Sequence, residues 1–166
     1  MKKTLTLFGL LFVCLLTFAQ NPCPQVIPAL QQWKGAKGTL ALPAQGSIVI
    51  NPQDEATLGQ TASILADDLK ELMGWEYSIT TGKAKKNDIY LSLSQPDEQL
   101  GKEGYVLAIN NKVSIEAPTT QGVFWGTRTL LQMLYRQEAT LAKGTTRDWP
   151  EFPSRGFMLD VGRKFF

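Results

Sequence analysis

At 166 residues and a formal net charge of +2, the chain has the length of about one domain and too little positive charge for a nucleic-acid binder. Apolar residues make up 43% and charged residues 19%, the mix of a soluble globular protein, and the length falls short of the roughly 250 residues of most (β/α)8 barrels. The count of zero histidines excludes His-based triads and His metal sites, and Cys14 and Cys23 are too few for a disulfide framework or a zinc site.

The chain opens on Met1-Lys2-Lys3, continues as an apolar run from Leu5 to Phe18 and carries a small-x-small pattern at Thr17-Phe18-Ala19. This predicts a secretory signal peptide over residues 1–19. The run is shorter than the roughly 20 residues of a spanning helix, so no membrane span is expected. Cleavage after Ala19 removes Cys14, leaves Cys23 as a lone thiol and implies export from a bacterium, to the periplasm or beyond. Acylation at Cys14 or Cys23 is the alternative, though neither follows convincing small residues.

Val26-Ile27-Pro28 reads as a short edge segment, because proline is tolerated at sheet edges. Gly35 and Gly38 mark a turn, and Thr39 to Leu42 and Ser47 to Ile50 are short strand candidates. Asp54 is placed to cap a helix running to about Met73, with Leu58, Ala62, Leu65, Leu69 and Leu72 on one 3.6-residue stripe. Asp67 and Asp68 lie off that stripe. Adjacent helical residues diverge by about 100°, so a solvated face is the expectation rather than a catalytic pair. Gly74 stops the helix. Tyr77 to Thr80 and Asp88 to Leu93 are the next strands, separated by a solvated turn at Lys85-Lys86. Gly104 to Ile109 and Lys112 to Ala117 form a hairpin whose Asn110-Asn111 turn is expected to use positive φ angles. A second helix is predicted from Thr120 to Arg136, with Gly122 and Gly126 one turn apart for close packing against the sheet or a ligand. Ala139 to Leu141 is a further short strand candidate. Thr145 to Asp148, with Pro150 and Pro153 beyond, reads as a linker, and Phe157 to Val161 as a strand buried on both faces. The fold class expected is α+β: a small mixed or antiparallel sheet with two helices on one face, over residues 20–146.

Three stretches in this order resemble the exo-acting β-N-acetylhexosaminidases of glycoside hydrolase family 20. They are Val26-Ile27-Pro28; Glu103-Gly104-Tyr105 through Ala117, with Gly122-Val123-Phe124-Trp125-Gly126 and Thr129 to Leu134; and Asp148-Trp149-Pro150 through Arg155-Gly156 to Arg163. The resemblance covers essentially the whole mature chain. It implies that residues 147–166 are a linker and the first strand of a (β/α)8 barrel, whose other strands would be the missing intramolecular partner. It also implies a carbohydrate substrate, a terminal N-acetylhexosaminide, and no metal or organic cofactor. In that family the substrate's acetamido oxygen attacks the anomeric carbon, assisted by an adjacent Asp–Glu pair. No such pair is matched here: Asp54-Glu55 opens a helix and Asp97-Glu98 sits in a loop.

One family residue carries over. Arg155 matches the arginine that grips sugar hydroxyls at the nonreducing end, a task suited to a fixed fork of donors. The alternative is that Arg155 pairs with an acid at the domain junction. Barrel sites lie at the C-terminal ends of strands, and Arg155 precedes its strand. Asp160 and Arg163 are better placed by that rule, as residues that hold other site groups through charge-assisted bonds or as a buried ion pair supporting the barrel. Lys164 stands where many members have histidine, which affects substrate preference. The chain is expected to lack hydrolase activity by itself. A stand-alone, non-catalytic carbohydrate-associated or scaffold module, or a truncated product that does not act, are the competing readings.

Overall fold

The computed structural model describes residues 20–136, 139–156 and 158. The expected signal peptide, and the expected barrel strand from Phe157 to Val161 save for Met158, lie outside the described residues.

Strands β1 (Gln32–Ala41), β2 (Gln45–Ile50), β3 (Glu76–Thr81), β4 (Ile89–Leu93), β5 (Tyr105–Ile109), β6 (Val113–Ala117) and β7 (Thr140–Asp148) form one 7-stranded sheet in the order β1-β7-β5-β6-β4-β2-β3. One half, β1-β7-β5-β6, is antiparallel; the other, β6-β4-β2-β3, is parallel. Helix α1 (Glu55–Met73) connects β2 to β3, and helix α2 (Thr120–Arg136) connects β6 to β7. This is the expected mixed sheet with two helices.

Period-two alternation in the strands drives the layer. Ile48, Ile50, Ile89, Leu91, Leu107, Ile109 and Ile115 are buried with Leu58, Leu65 and Leu69 of α1 and Leu130, Met133 and Leu134 of α2 in one core cluster. Each such side chain contributes about 1.5–3 kcal/mol when fully removed from water. The two helices meet on that face, where Arg128 of α2 pairs with Asp68 of α1 at 2.5 Å and lies 4.6 Å from the Phe124 ring. Asp67 is exposed, as the expected solvated face requires, but Asp68 departs from that expectation and is half-buried in its pair with Arg128.

Helix α1 begins and ends where the sequence places it, but Asp54 does not bond its first turn. Its carboxylate accepts instead from the Leu93 N–H (2.8 Å) and the Asn51 amide (2.9 Å), joining the helix start to β4. At the other end Gly74 takes φ 69°, and its N–H and that of Trp75 close onto the Lys70 and Leu69 carbonyls, a left-handed stop.

Four further expectations are corrected. Val26-Ile27-Pro28 is not an edge segment; the Gln132 amide of α2 both accepts from the Ile27 N–H (2.9 Å) and donates to its carbonyl (3.0 Å), docking the segment on a helix. β1 runs through the expected turn at Gly35 and Gly38, because Gly38 at φ +81° absorbs an irregularity in its pairing with β7. The hairpin pairs Ile109 with Val113, leaving residues 110–112 as the turn, and neither Asn110 nor Asn111 has positive φ. The asparagine that does is Asn87 (φ 68°), whose N–H donates to the Asn111 carbonyl. Thr145 to Asp148 is not a linker but the second half of β7, seated between β1 and β5. Its threonines are β-branched, and Thr146 tolerates complete burial because its hydroxyl donates to the Gln32 carbonyl of β1 (2.7 Å).

Arg147 of β7 reaches a loop between β4 and β5 and donates to both oxygens of Asp97, each at 2.7 Å. Asp97 also accepts from the N–H groups of Gln99 and Leu100, both at 3.0 Å, which folds the loop into a compact turn. The Arg147 hydrogen bond, then that from the Leu100 N–H, holds the Asp97 carboxyl below its ordinary range.

A depressed carboxyl adds stability above its unfolded pKa and loses it as pH falls through the lower folded value. Asp97→Asn is therefore expected to unfold at lower urea concentration than the parent at neutral pH, with the gap closing as pH drops below about 4. A gap of undiminished size in strong acid would contradict that origin. Glycines on the helices make a second test. A Cβ on Gly122 would stand 2.3 Å from the Gly104 carbonyl oxygen, whereas one on Gly59 meets nothing within 4 Å. Gly122→Ala should lower stability by about 1–3 kcal/mol, and Gly59→Ala should raise it by about 1 kcal/mol through helix propensity. Urea melts of the two variants decide it.

Candidate functional site

The candidate site forms where the chain leaves the sheet, and its scaffold is the strip Glu103-Gly104-Tyr105. Gly104 donates its N–H to the Leu100 carbonyl (2.7 Å), and its own carbonyl lies against the first turn of α2, where residue 122 must lack a Cβ. Gly104 itself has no room for one, since the Leu100 and Asp148 carbonyl oxygens would stand at 2.5 and 2.9 Å. Thr119 caps α2: its hydroxyl accepts from the Gly122 N–H (3.1 Å) and donates to the Lys102 carbonyl. Backbone on both sides of Glu103 is thereby tied down.

Tyr105 anchors the end of β7. Its hydroxyl donates to Asp148 Oδ2 (2.8 Å) and, having one proton, accepts from the Thr129 hydroxyl of α2 (2.6 Å). Asp148 Oδ1 accepts from the Gln31 N–H (2.9 Å), just ahead of β1. Burial pushes the Tyr105 phenol well above its ordinary range, with the nearby Asp148 charge raising it further, so the group stays a neutral donor. Four segments meet at this network: α2, β5, β7 and the approach to β1.

Beyond Asp148 the chain turns back over the same strip. Arg155 donates through Nη1 to the Phe152 carbonyl (2.9 Å) and pairs through Nη2 with Glu103. The Arg155 side chain is 50% exposed and that of Glu103 20%, so the acid is the anchored partner and the guanidinium keeps donors open to solvent. Pairing with a junction acid, one of the two expectations for Arg155, is present. Asp160 and Arg163 lie outside the described residues. In the sequence Glu103 stands only as the first residue of the motif Glu103-Gly104-Tyr105. Nothing in its spacing marks it as the partner of Arg155, because the pairing depends on a chain reversal after β7.

Other parts of the surface offer less. A groove of about 500 Å³ is lined by Asp67, Lys70, Trp75 and Tyr77 at the β2–β3 edge, and a second of about 300 Å³ lies between the helices beside Gln60 and Phe124. Tyr77 is no base: its hydroxyl donates to the Pro43 carbonyl (2.8 Å) and burial pushes its pKa up to about 12. Neither groove includes Arg155 or Glu103. Among the described residues no three His, Cys, Asp or Glu side chains gather as metal ligands. Asp54 and Asp97 both hold backbone N–H groups, which gives each a structural task.

The sequence model of "Glycosyl hydrolase family 20, domain 2" matches residues 23–149. A lacto-N-biosidase of Bifidobacterium bifidum is 32% identical over 138 residues, covering 82% of this chain and 12% of the relative. A beta-hexosaminidase of Porphyromonas gingivalis is 29% identical over 151 residues, covering 84% of this chain and 19% of the relative. Among solved structures, a Streptomyces plicatus beta-hexosaminidase mutant in complex with the product GlcNAc superposes with a TM-score of 0.71 at 28% identity, over 90% of this chain and 31% of that one. The chain thus spans less than a third of each of these relatives. On the match across its sheet and both helices, it belongs to glycosyl hydrolase family 20.

Proposed function

We propose that this chain is the N-terminal part of an exported exo-β-N-acetylhexosaminidase that releases terminal N-acetylglucosamine or N-acetylgalactosamine by a substrate-assisted, retaining route. The observation that carries the reading is the family match over residues 23–149, joined to a likeness at 28% identity with hexosaminidases of which this chain covers 31%. In this reading residues beyond Asp148 lead into a (β/α)8 barrel, of which Phe157 to Val161 are the first strand. The barrel holds the Asp–Glu pair: the acid beside the acetamide orients it, and the glutamic acid protonates the leaving oxygen and then activates water.

This chain's contribution is binding. Arg155 offers fixed N–H donors to vicinal hydroxyls of the nonreducing-end sugar, and rejects sugars that leave those donors unfilled. Asp160 and Arg163 hold neighbouring site groups in place. A second reading, a non-catalytic α/β module, is favoured by one observation: among the described residues, the last strand of the sheet ends at Asp148 and the buried core lies before it.

The test compares residues 20–166 with the polypeptide of the uninterrupted reading frame, using an aryl N-acetylglucosaminide. The short form is expected to give no turnover and the long form to be active. Turnover by the short form overturns the proposal, and a long form without an Asp-Glu pair or activity favours the module. In the active long form, Arg155→Lys should lower kcat/KM by about 10- to 100-fold, the loss expected when a bidentate donor is replaced by a point charge.

A further inference from the structure

We propose that Glu103, a residue of the sheet domain, positions the Arg155 guanidinium for the nonreducing-end sugar, so that the non-catalytic domain takes part in substrate selection. The inference rests on the reading of Arg155 as a sugar contact and adds the residue through which that contact is prepared.

The geometry supports it in three steps. Arg155 is held at two points, by Phe152 on Nη1 and by Glu103 on Nη2, which fixes both the position and the plane of the guanidinium. Phe152 belongs to the same exposed exit segment as Arg155, so of the two partners only Glu103 ties that segment to the sheet domain. Glu103, in turn, sits on backbone immobilised by the Leu100 carbonyl, the Thr119 hydroxyl and the contact of Gly104 with α2. The exit segment is also fixed at its start, where Tyr105 and the Gln31 N–H hold Asp148. The exit segment is therefore held at Asp148 by Tyr105 and at Arg155 by Glu103, two residues of the strip Glu103-Gly104-Tyr105.

An arginine on a free segment would lose its rotamer freedom when sugar binds. One already oriented by a carboxylate loses less, and its unengaged donors face the ligand in a set plane. Glu103 touches neither sugar nor reacting atoms in this account; it is a positioning residue. A purely structural clasp would instead support the fold of the junction and leave sugar affinity alone.

The experiment uses the long form of the enzyme with an aryl N-acetylglucosaminide. E103Q is expected to raise KM about tenfold with kcat within about threefold, the pattern of lost ground-state and transition-state binding together. E103D keeps the charge one methylene short, and should raise KM only about threefold. With R155K already in place, E103Q should add little, because the two act as one unit. An E103Q enzyme with unchanged KM, while R155K raises it, overturns this inference and leaves the sugar role of Arg155 standing. An R155K enzyme with unchanged KM removes that role itself. A lowered thermal midpoint without a KM change identifies a structural clasp and likewise overturns the inference. Should E103Q fail to fold, E103D decides: a raised KM at an unchanged thermal midpoint supports positioning, and an unchanged KM refutes it.

Discussion

Helix α2 packs against Gly104 and the β5–β6 hairpin so closely that positions 122 and 126 have no room for a side chain. The Gly104 carbonyl occupies the space where a side chain at position 122 would begin, and the Ile115 and Tyr105 side chains fill the space beside Gly126. Because both residues are glycine, α2 settles against the Gly104 backbone and onto the Ile115 and Tyr105 side chains. That approach brings Thr129 within 2.6 Å of the Tyr105 hydroxyl, and Thr119 onto the Lys102 carbonyl. The Tyr105–Asp148 bond then depends on α2 and β5 being in register, and the end of β7 depends on that bond. A glycine in a helix weakens it by about 1 kcal/mol relative to alanine, and the polar network closed by this packing is what the weakness secures.

The mixed sheet places this junction at one side of the molecule. Its parallel half, β4-β2-β3, is built with α1 and makes a conventional layer pair. Its antiparallel half collects β1 and β7, so the segment leading into β1 and the segment leaving β7 meet at Asp148. The loop held by Asp97 and Arg147 lies beside the same junction and presents Glu103 to the departing chain. Charged residues here do local structural work: Asp97 folds a loop, Asp54 ties a helix to a strand, and Asp68 joins two helices.

Much of the fold was legible in residue order. The stripe of Leu58, Leu65 and Leu69, bounded by Asp54 and Gly74, predicts α1 to within a residue, and the second helix matches from Thr120 to Arg136. The strands that alternate strongly, around Ile89, Leu107 and Ile115, were equally plain. What failed was polar or glycine-bearing strand. Thr145 to Asp148 reads as linker because no apolar alternation marks it; it is a strand because β1 and β5 supply partners for its backbone and for the Thr146 hydroxyl. β1 was truncated at its glycines for the same reason. Of the candidate site, motif order points to Arg155 but not to its partner Glu103, since the two meet only after a turn that no local pattern encodes.

Hydrophobic period, helix stops and the order of motifs thus suffice for the layer architecture and the family, because they are local properties that the chain carries before it folds. Three things needed the tertiary structure: the strand order, the use of each acid, and the pairing of Arg155 with Glu103. These are decided by which backbone donors and acceptors remain unmatched once the core has closed. Residues far apart in the chain supply those groups, and only packing brings them within reach.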